Sequence, residues 1–278
     1  MTITALLKLE WMKMKNYTLF KVIAGFYLIF LPASLLITKT WNTNSANIGC
    51  DVKSFLMFPS VWNYLAYTGN WIAYFVFGFL GVTLITNEFS DRTLRQNIIS
   101  GMTRSSFFNA KVVFIAAISV VATLYFILMA LAIGFFNTET IYWDKIWQEA
   151  AIIVRYFMMC LSYLSFGLML GMLMKRTALA TIFYFIYVFF IELVWRWGVH
   201  YQVVKNTGNS TVIKTMHFYP MNIVEDLTPT PLPAMVQGMS EEFKFPIFLT
   251  PTEALLGSIF YVLLFLYCCR LLLMKKDL

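Results

Sequence analysis

Six stretches of this chain are apolar for long enough to cross a membrane, and polar punctuation separates them. They fall at about 20–38, 63–86, 110–136, 150–174, 178–198 and 254–273. The first is the shortest: only Val22 to Thr38 is uncharged, 17 residues, so Lys21 and Lys39 must snorkel at its two ends. Ahead of it, Ile3, Leu6, Leu7, Trp11 and Met14 gather on one side of a helix while Lys8 and Lys15 lie elsewhere. That pattern predicts an amphipathic helix lying in the membrane interface within residues 1–18. Glu10 falls inside the apolar stripe. The simpler reading tilts it toward the headgroups; the other pairs it with a basic residue of the 92–104 loop. Gly69, Gly78 and Gly81 in the second stretch leave room for another helix to approach. The fold class expected is all-α: one polytopic domain with six transmembrane helices.

The longest polar interruption on the side that also holds the termini is 87–111, NEFSDRTLRQNIISGMTRSSFFNAK. Asn87 or Ser90 can cap a helix there, with Glu88 and Asp91 in its first turn, and Gly101 is placed to end it about three turns later. On such a helix Leu94 and Ile98 share one face while Arg92 and Gln96 share the opposite one. Thr103 or Ser105 can then cap the helix that runs on through Lys111.

Composition changes the picture in three ways. With 60% apolar and 13% charged residues and a mean hydropathy of +0.71, the chain is far from the ~25% charge of soluble domains. The net charge of +7 sits mostly beside the spans, so it speaks for topology rather than nucleic acid. Lys8, Lys13, Lys15, Lys21, Arg92, Arg95, Arg104, Lys111, Lys175, Arg176, Arg270, Lys275 and Lys276 fall on one side. The positive-inside rule makes that side, with both termini, cytoplasmic. All tryptophans but Trp11 fall toward the other interface. The 199–253 extracytoplasmic segment holds six of the eight prolines, with LTPTPLP expected extended and FYPMNIVEDL a candidate short helix dipping into the membrane. The first apolar run is too long for a signal core, so it is expected to stay as an anchor.

Chemistry inside the chain is sparse. Cys50, Cys160, Cys268 and Cys269 have no zinc-like spacing, and His200 and His217 both lie in the outer segment, so no metal site is expected. No GxxxxGK[ST], GxSxG or HExxH occurs. Of the ionisable residues within spans, Arg155, Glu192 and Arg196 are the ones to single out. Their shared depth predicts a charge cluster with Glu192 between the arginines, read as a brace before a substrate site.

Glu88, Thr93, Arg95, Arg104, Phe108 and Lys111 together resemble the first cytoplasmic loop of ABC-2 type transporter permeases, although Arg92 stands where that family often has Gly. The resemblance implies an ABC-2 (type V exporter-like) permease fold in a bacterial cytoplasmic (inner) membrane. Residues 88–104 would form a coupling helix and loop docking into an ATPase. Its contacts would come from Glu88, Arg92, Thr93, Leu94, Arg95, Ile98, Arg104 and Lys111, with Leu94 and Ile98 entering the ATPase groove. It further implies a translocation path along Tyr67, Trp71, Tyr74 and Gly78 of the second span, suited to an apolar or amphipathic cargo. The implied partners are an ABC ATPase, a second permease copy and membrane lipid, with ATP and Mg on the ATPase. No cofactor or catalytic residue is expected on this chain. Two rivals stand beside this reading. A secondary transporter would want a midplane carboxylate or broken helices in symmetric halves, and a mechanical or signalling component would use the ATPase without transport.

Overall fold

The computed structural model describes residues 2–41, 53–91, 93–140, 142–204, 214–229 and 249–275, and among them there is helix and turn but no strand. Six helices are long and apolar enough to cross a membrane. The order begins with α1 (Ile3–Met14), α2 (Thr18–Trp41), α3 (Lys53–Leu56), α4 (Ser60–Ser90), α5 (Thr93–Ile99) and α6 (Arg104–Asn137). It continues with α7 (Trp143–Trp147), α8 (Ile152–Met174), α9 (Thr177–Ile186), α10 (Tyr201–Val204), α11 (Pro220–Asp226) and α12 (Pro251–Lys275). Between α9 and α10 the fifth span continues without a break, widened into π-helix at Tyr187–Glu192 and again at Trp195–His200.

The bundle is built around α4 and α8, its most extensively packed pair. Their contact is a seam of glycines. A Cβ on Gly81 would stand 2.4 Å from the Leu164 carbonyl oxygen, and one on Gly167 would stand 2.3 Å from that of Gly78. Backbone meets backbone, as small residues allow inside a membrane, where water supplies no force to drive helices together. Gly78 has a second neighbour: the Tyr184 ring of α9 lies 2.0 Å from where its Cβ would be. The expected path residue is therefore a seat for an aromatic ring within the chain.

Trp62, expected at a membrane interface, is fully buried. Its indole N–H donates to the Ile146 carbonyl at 2.7 Å, and its ring meets Phe58, Phe126 and Trp147. The polar tip finds a partner at the end of α7, so the whole side chain can leave the bilayer surface.

The 87–111 stretch departs from expectation. Residues 87–90 do not start a helix; they end α4, which runs through Ser90 to a cap at Asp91. Helix α5 is a separate seven-residue piece beginning at Thr93. Gly101 does follow it, at φ +96°, a left-handed value that suits glycine. There Gly101 N–H donates to Ile98 and Met102 N–H donates to Asn97. Thr103 caps α6, accepting from the Ser106 N–H at 3.1 Å. α6 therefore starts at Arg104, ahead of its apolar run.

FYPMNIVEDL yields α11, which packs its Met221, Ile223 and Val224 face against α12 and α8. Of the LTPTPLP run, residues 230–233 lie outside the described residues, as do Cys50 and Arg92.

Candidate functional site

At the end of the bundle that gathers α1, α5 and the start of α6, four charges from three helices interlock. The Lys111 ammonium, 1% exposed, donates to Glu10 at 2.6 Å and to Glu88 at 2.7 Å. Lys13 donates to Glu88 at 2.8 Å and to Glu10 at 3.4 Å, and the Thr93 hydroxyl donates to the other Glu88 oxygen. Both ammonium groups lie over the Phe107 ring, at 5.9 Å for Lys13 and 5.4 Å for Lys111. Two carboxylates against two ammonium groups leaves no net charge, the condition for burying ions at all. Glu10 thus has a basic partner, but it is Lys111 of α6 and Lys13 of its own helix. The sequence carried half the signal, since Glu10 and Lys13 are three apart on one helix.

Around this knot the loop is pinned. Arg104 Nη1 donates to the Leu273 and Met274 carbonyls at 3.1 Å each, closing the end of α12. Thr93 ties the first turn of α5 to α4 through Glu88. The face of α5 that meets the bundle carries Leu94, 2% exposed, and Ile98, half-buried against the core. Leu94 and Ile98 are therefore not an outward docking face. What α5 presents outward is Arg95, Gln96 and Ile99, the last 79% exposed.

At the opposite end the predicted charge cluster is not formed. Glu192 feels the Arg196 charge but makes no ion pair with it and does not bridge to Arg155; its oxygens accept the Met221 N–H at 3.0 Å and the Asn222 N–H at 2.7 Å. It caps the start of α11, where the helix dipole favours an anion. The Nε atoms of Arg155 and Arg196 are buried with no hydrogen-bond partner, and the carboxylate felt by Arg155 is that of Glu149. The brace exists, but it joins the fifth span to α11 instead of to the fourth span.

Beside that cap lies a cavity of about 280 Å³. Tyr67, Trp71 and Tyr74 of α4 line it, as do Arg196 and Trp197 of the second π segment. Gly78 does not. A π-turn displaces the residues that follow it around the helix axis, and this is how the end of the fifth span is re-aimed at the cavity. Glu225 and Asp226 of α11 also border the cavity. Asp226 is held by His217 Nδ1 at 2.8 Å and by the Leu249 N–H at 3.4 Å. Tyr163 donates to Asn70 Oδ1 at 2.6 Å in the same wall. The Glu225 side chain is exposed along the cavity, yet the protein crowding around it displaces bulk water and, above all other causes, pushes its carboxyl up to about 7; Arg196 and His217 pull it down, and Glu192 and Asp226 add to the rise. The acidic pair in NIVEDL, flanked by apolar residues, was the sequence signal for this site, and the π segments had none.

A second hollow, about 540 Å³, lies between α1, α2, α4 and α6 and is lined almost wholly by apolar side chains such as Leu7, Phe77 and Ile118. Among the described residues no group of three or more His, Cys, Asp or Glu is placed to hold a metal ion.

A family model described as a protein of unknown function (DUF2705) matches residues 57–278, from just before α4 to the C-terminal residue. No curated protein matches the chain.

Proposed function

We propose that this chain, which belongs to the DUF2705 family of proteins of unknown function, is the membrane-spanning permease subunit of an ABC exporter. In this reading both termini and α5 face the cytoplasm, two permease copies associate, and α5 of each docks into a separate ATPase. ATP binding draws the two docked helices together and shifts the permease pair between inward- and outward-open states. An apolar or amphipathic cargo would follow a path walled by the aromatic residues of α4.

The observation that carries this reading is the way α5 is mounted. A seven-residue helix is clamped on three sides, by Thr93 on Glu88, by Leu94 in the core and by the turn at Gly101. Its exposed face then ends in Ile99 beside Arg95. A lever must be rigid where it is attached and apolar where it is gripped. The buried Glu10–Lys111–Glu88 knot supplies the rigidity, because separating any member would strand a charge in a water-poor site.

The test is co-expression with a candidate P-loop ATPase, taken from the neighbouring gene if one is encoded there. The expected result is a complex that survives purification and hydrolyses ATP in liposomes. A chain that runs alone, with no ATPase retained under gentle solubilisation, would overturn the reading.

A further inference from the structure

The cavity between α4, the second π segment and α11 has features that its role as a path wall does not account for. Three carboxylates lie close together here, Glu225 and Asp226 in the wall and Glu192 behind them, facing the Arg196 guanidinium and the His217 ring. Two of the three are already engaged, Glu192 by the α11 amides and Asp226 by His217, Asn222 and Leu249. Glu225 accepts no hydrogen bond from any described residue, and its side chain stands open to the cavity. The Tyr74 hydroxyl, on a side chain only 4% exposed, also has no partner, although it lies within electrostatic reach of Glu225. Buried hydroxyls are nearly always paired, so an orphan one in a cavity wall marks where a bound polar group would be met. Trp71, half exposed, completes an aromatic wall with Tyr67.

We propose that this cavity binds an ammonium group carried on an apolar body, with Glu225 as its counter-charge and Tyr67, Trp71 and Tyr74 as its aromatic wall. A cation beside a carboxylate and over aromatic faces is held by both at once, and desolvation in the cavity strengthens each contact. An anion would be met by Arg196, already stacked on Trp197 at 5.5 Å with carboxylates beyond it, and by His217, already held by Asp226. Size narrows the ligand further. At about 280 Å³ the cavity is at the small end of ligand sites, so it takes a headgroup or a small amine while any tail lies outside. As the substrate class of an exporter this rests on the function proposed above, but the binding itself requires no ATPase.

The experiment titrates the purified chain, in dodecyl maltoside and without any ATPase, with benzyltrimethylammonium followed by calorimetry. Benzenesulfonate and benzyl alcohol serve as anionic and neutral controls. Saturable binding of the cation is expected, weakened about tenfold in Glu225→Gln and similarly in Trp71→Leu. Trp71 is half exposed, so its loss removes little packing, and melting curves report whether either variant is folded. Phosphatidylethanolamine added to the micelles weakens the cation if a lipid amine headgroup is the occupant, and leaves it unchanged if the ligand is a free amine. Equal affinity in a folded Glu225→Gln, or benzenesulfonate binding as tightly as the cation, would overturn the proposal. Because the ATPase is absent throughout, a failure here is separate from a failure of the pump reading, which the co-purification decides.

Discussion

Lys111 shows how much one side chain can carry. Its ammonium is 1% exposed and serves two carboxylates. Lys111→Met would leave Glu10 and Glu88 facing each other with only Lys13 between them, and removing one partner of a buried pair costs about 3–5 kcal/mol. A large drop in melting temperature in detergent is expected, and Lys111→Met combined with Glu10→Gln should recover part of it. Purely additive losses would mean that the knot does not act as a unit. Glu225 makes a second residue-level prediction, with the opposite sense from an ordinary salt bridge. Its pKa rises from 4.5 to about 7 on folding. The groups facing it are Arg196 and Glu192 of the fifth span, Asp226 and His217 around α11, and Tyr74 and Tyr163 of α4 and α8. The folded state therefore holds this proton more tightly than the unfolded chain. The resulting stability is full below about pH 4.5 and lost as pH rises through about 7. The ligand-free chain should melt lower at pH 8 than at pH 5, and Glu225→Gln should flatten that slope. An unchanged slope in the variant would assign the effect to other groups.

At the scale of elements, the α4–α8 seam is the contact that tolerates least change. The obstacle to a Cβ at Gly81 is a carbonyl oxygen at 2.4 Å, and backbone cannot swing aside as a side-chain tip can. Gly81→Val should therefore cost at least the ~1–3 kcal/mol of overpacking. Gly25→Ala in α2, with nothing within 4 Å, should be neutral or gain ~0.5–1 kcal/mol. Melting both variants in one detergent compares them directly; equal losses would mean the seam relaxes. Much of this level was legible in the sequence. Hydropathy set the six spans because a bilayer demands a run of about 20 apolar residues, and a glycine at a helix face invites a neighbour. The start of α6 at Arg104 was legible as well, because Thr103 stands as an N-cap ahead of the apolar run. Other features left no mark. The π segments at Tyr187–His200 follow from what Glu192 and His200 reach for, the amides of α11 and the hydroxyls of Thr215 and Tyr219. Those partners are far along the chain, and local periodicity cannot name them. For α5, periodicity grouped Leu94 with Ile98 correctly but could not say which face meets the bundle.

For the molecule as a machine, that last point decides how it would be gripped. If α5 is the docking element, the gripped face is Arg95, Gln96 and Ile99, and the two faces of this helix should fail in different ways. Ile99 is 79% exposed, so Ile99→Asp removes almost no internal packing and should leave expression and melting temperature unchanged. Burying that carboxylate unpaired against an apolar groove would cost several kcal/mol. Each 1.4 kcal/mol is tenfold in affinity, so the ATPase should be lost from the purified complex. Leu94 is 2% exposed and part of the core, so Leu94→Asp should instead lower the melting temperature of the chain by itself, with no ATPase present. Running both variants through thermal melting and ATPase co-purification separates a grip from a strut. If Ile99→Asp retains the ATPase and transports normally, α5 is only a clamped loop, and the coupling between this chain and an ATPase must be sought on another surface.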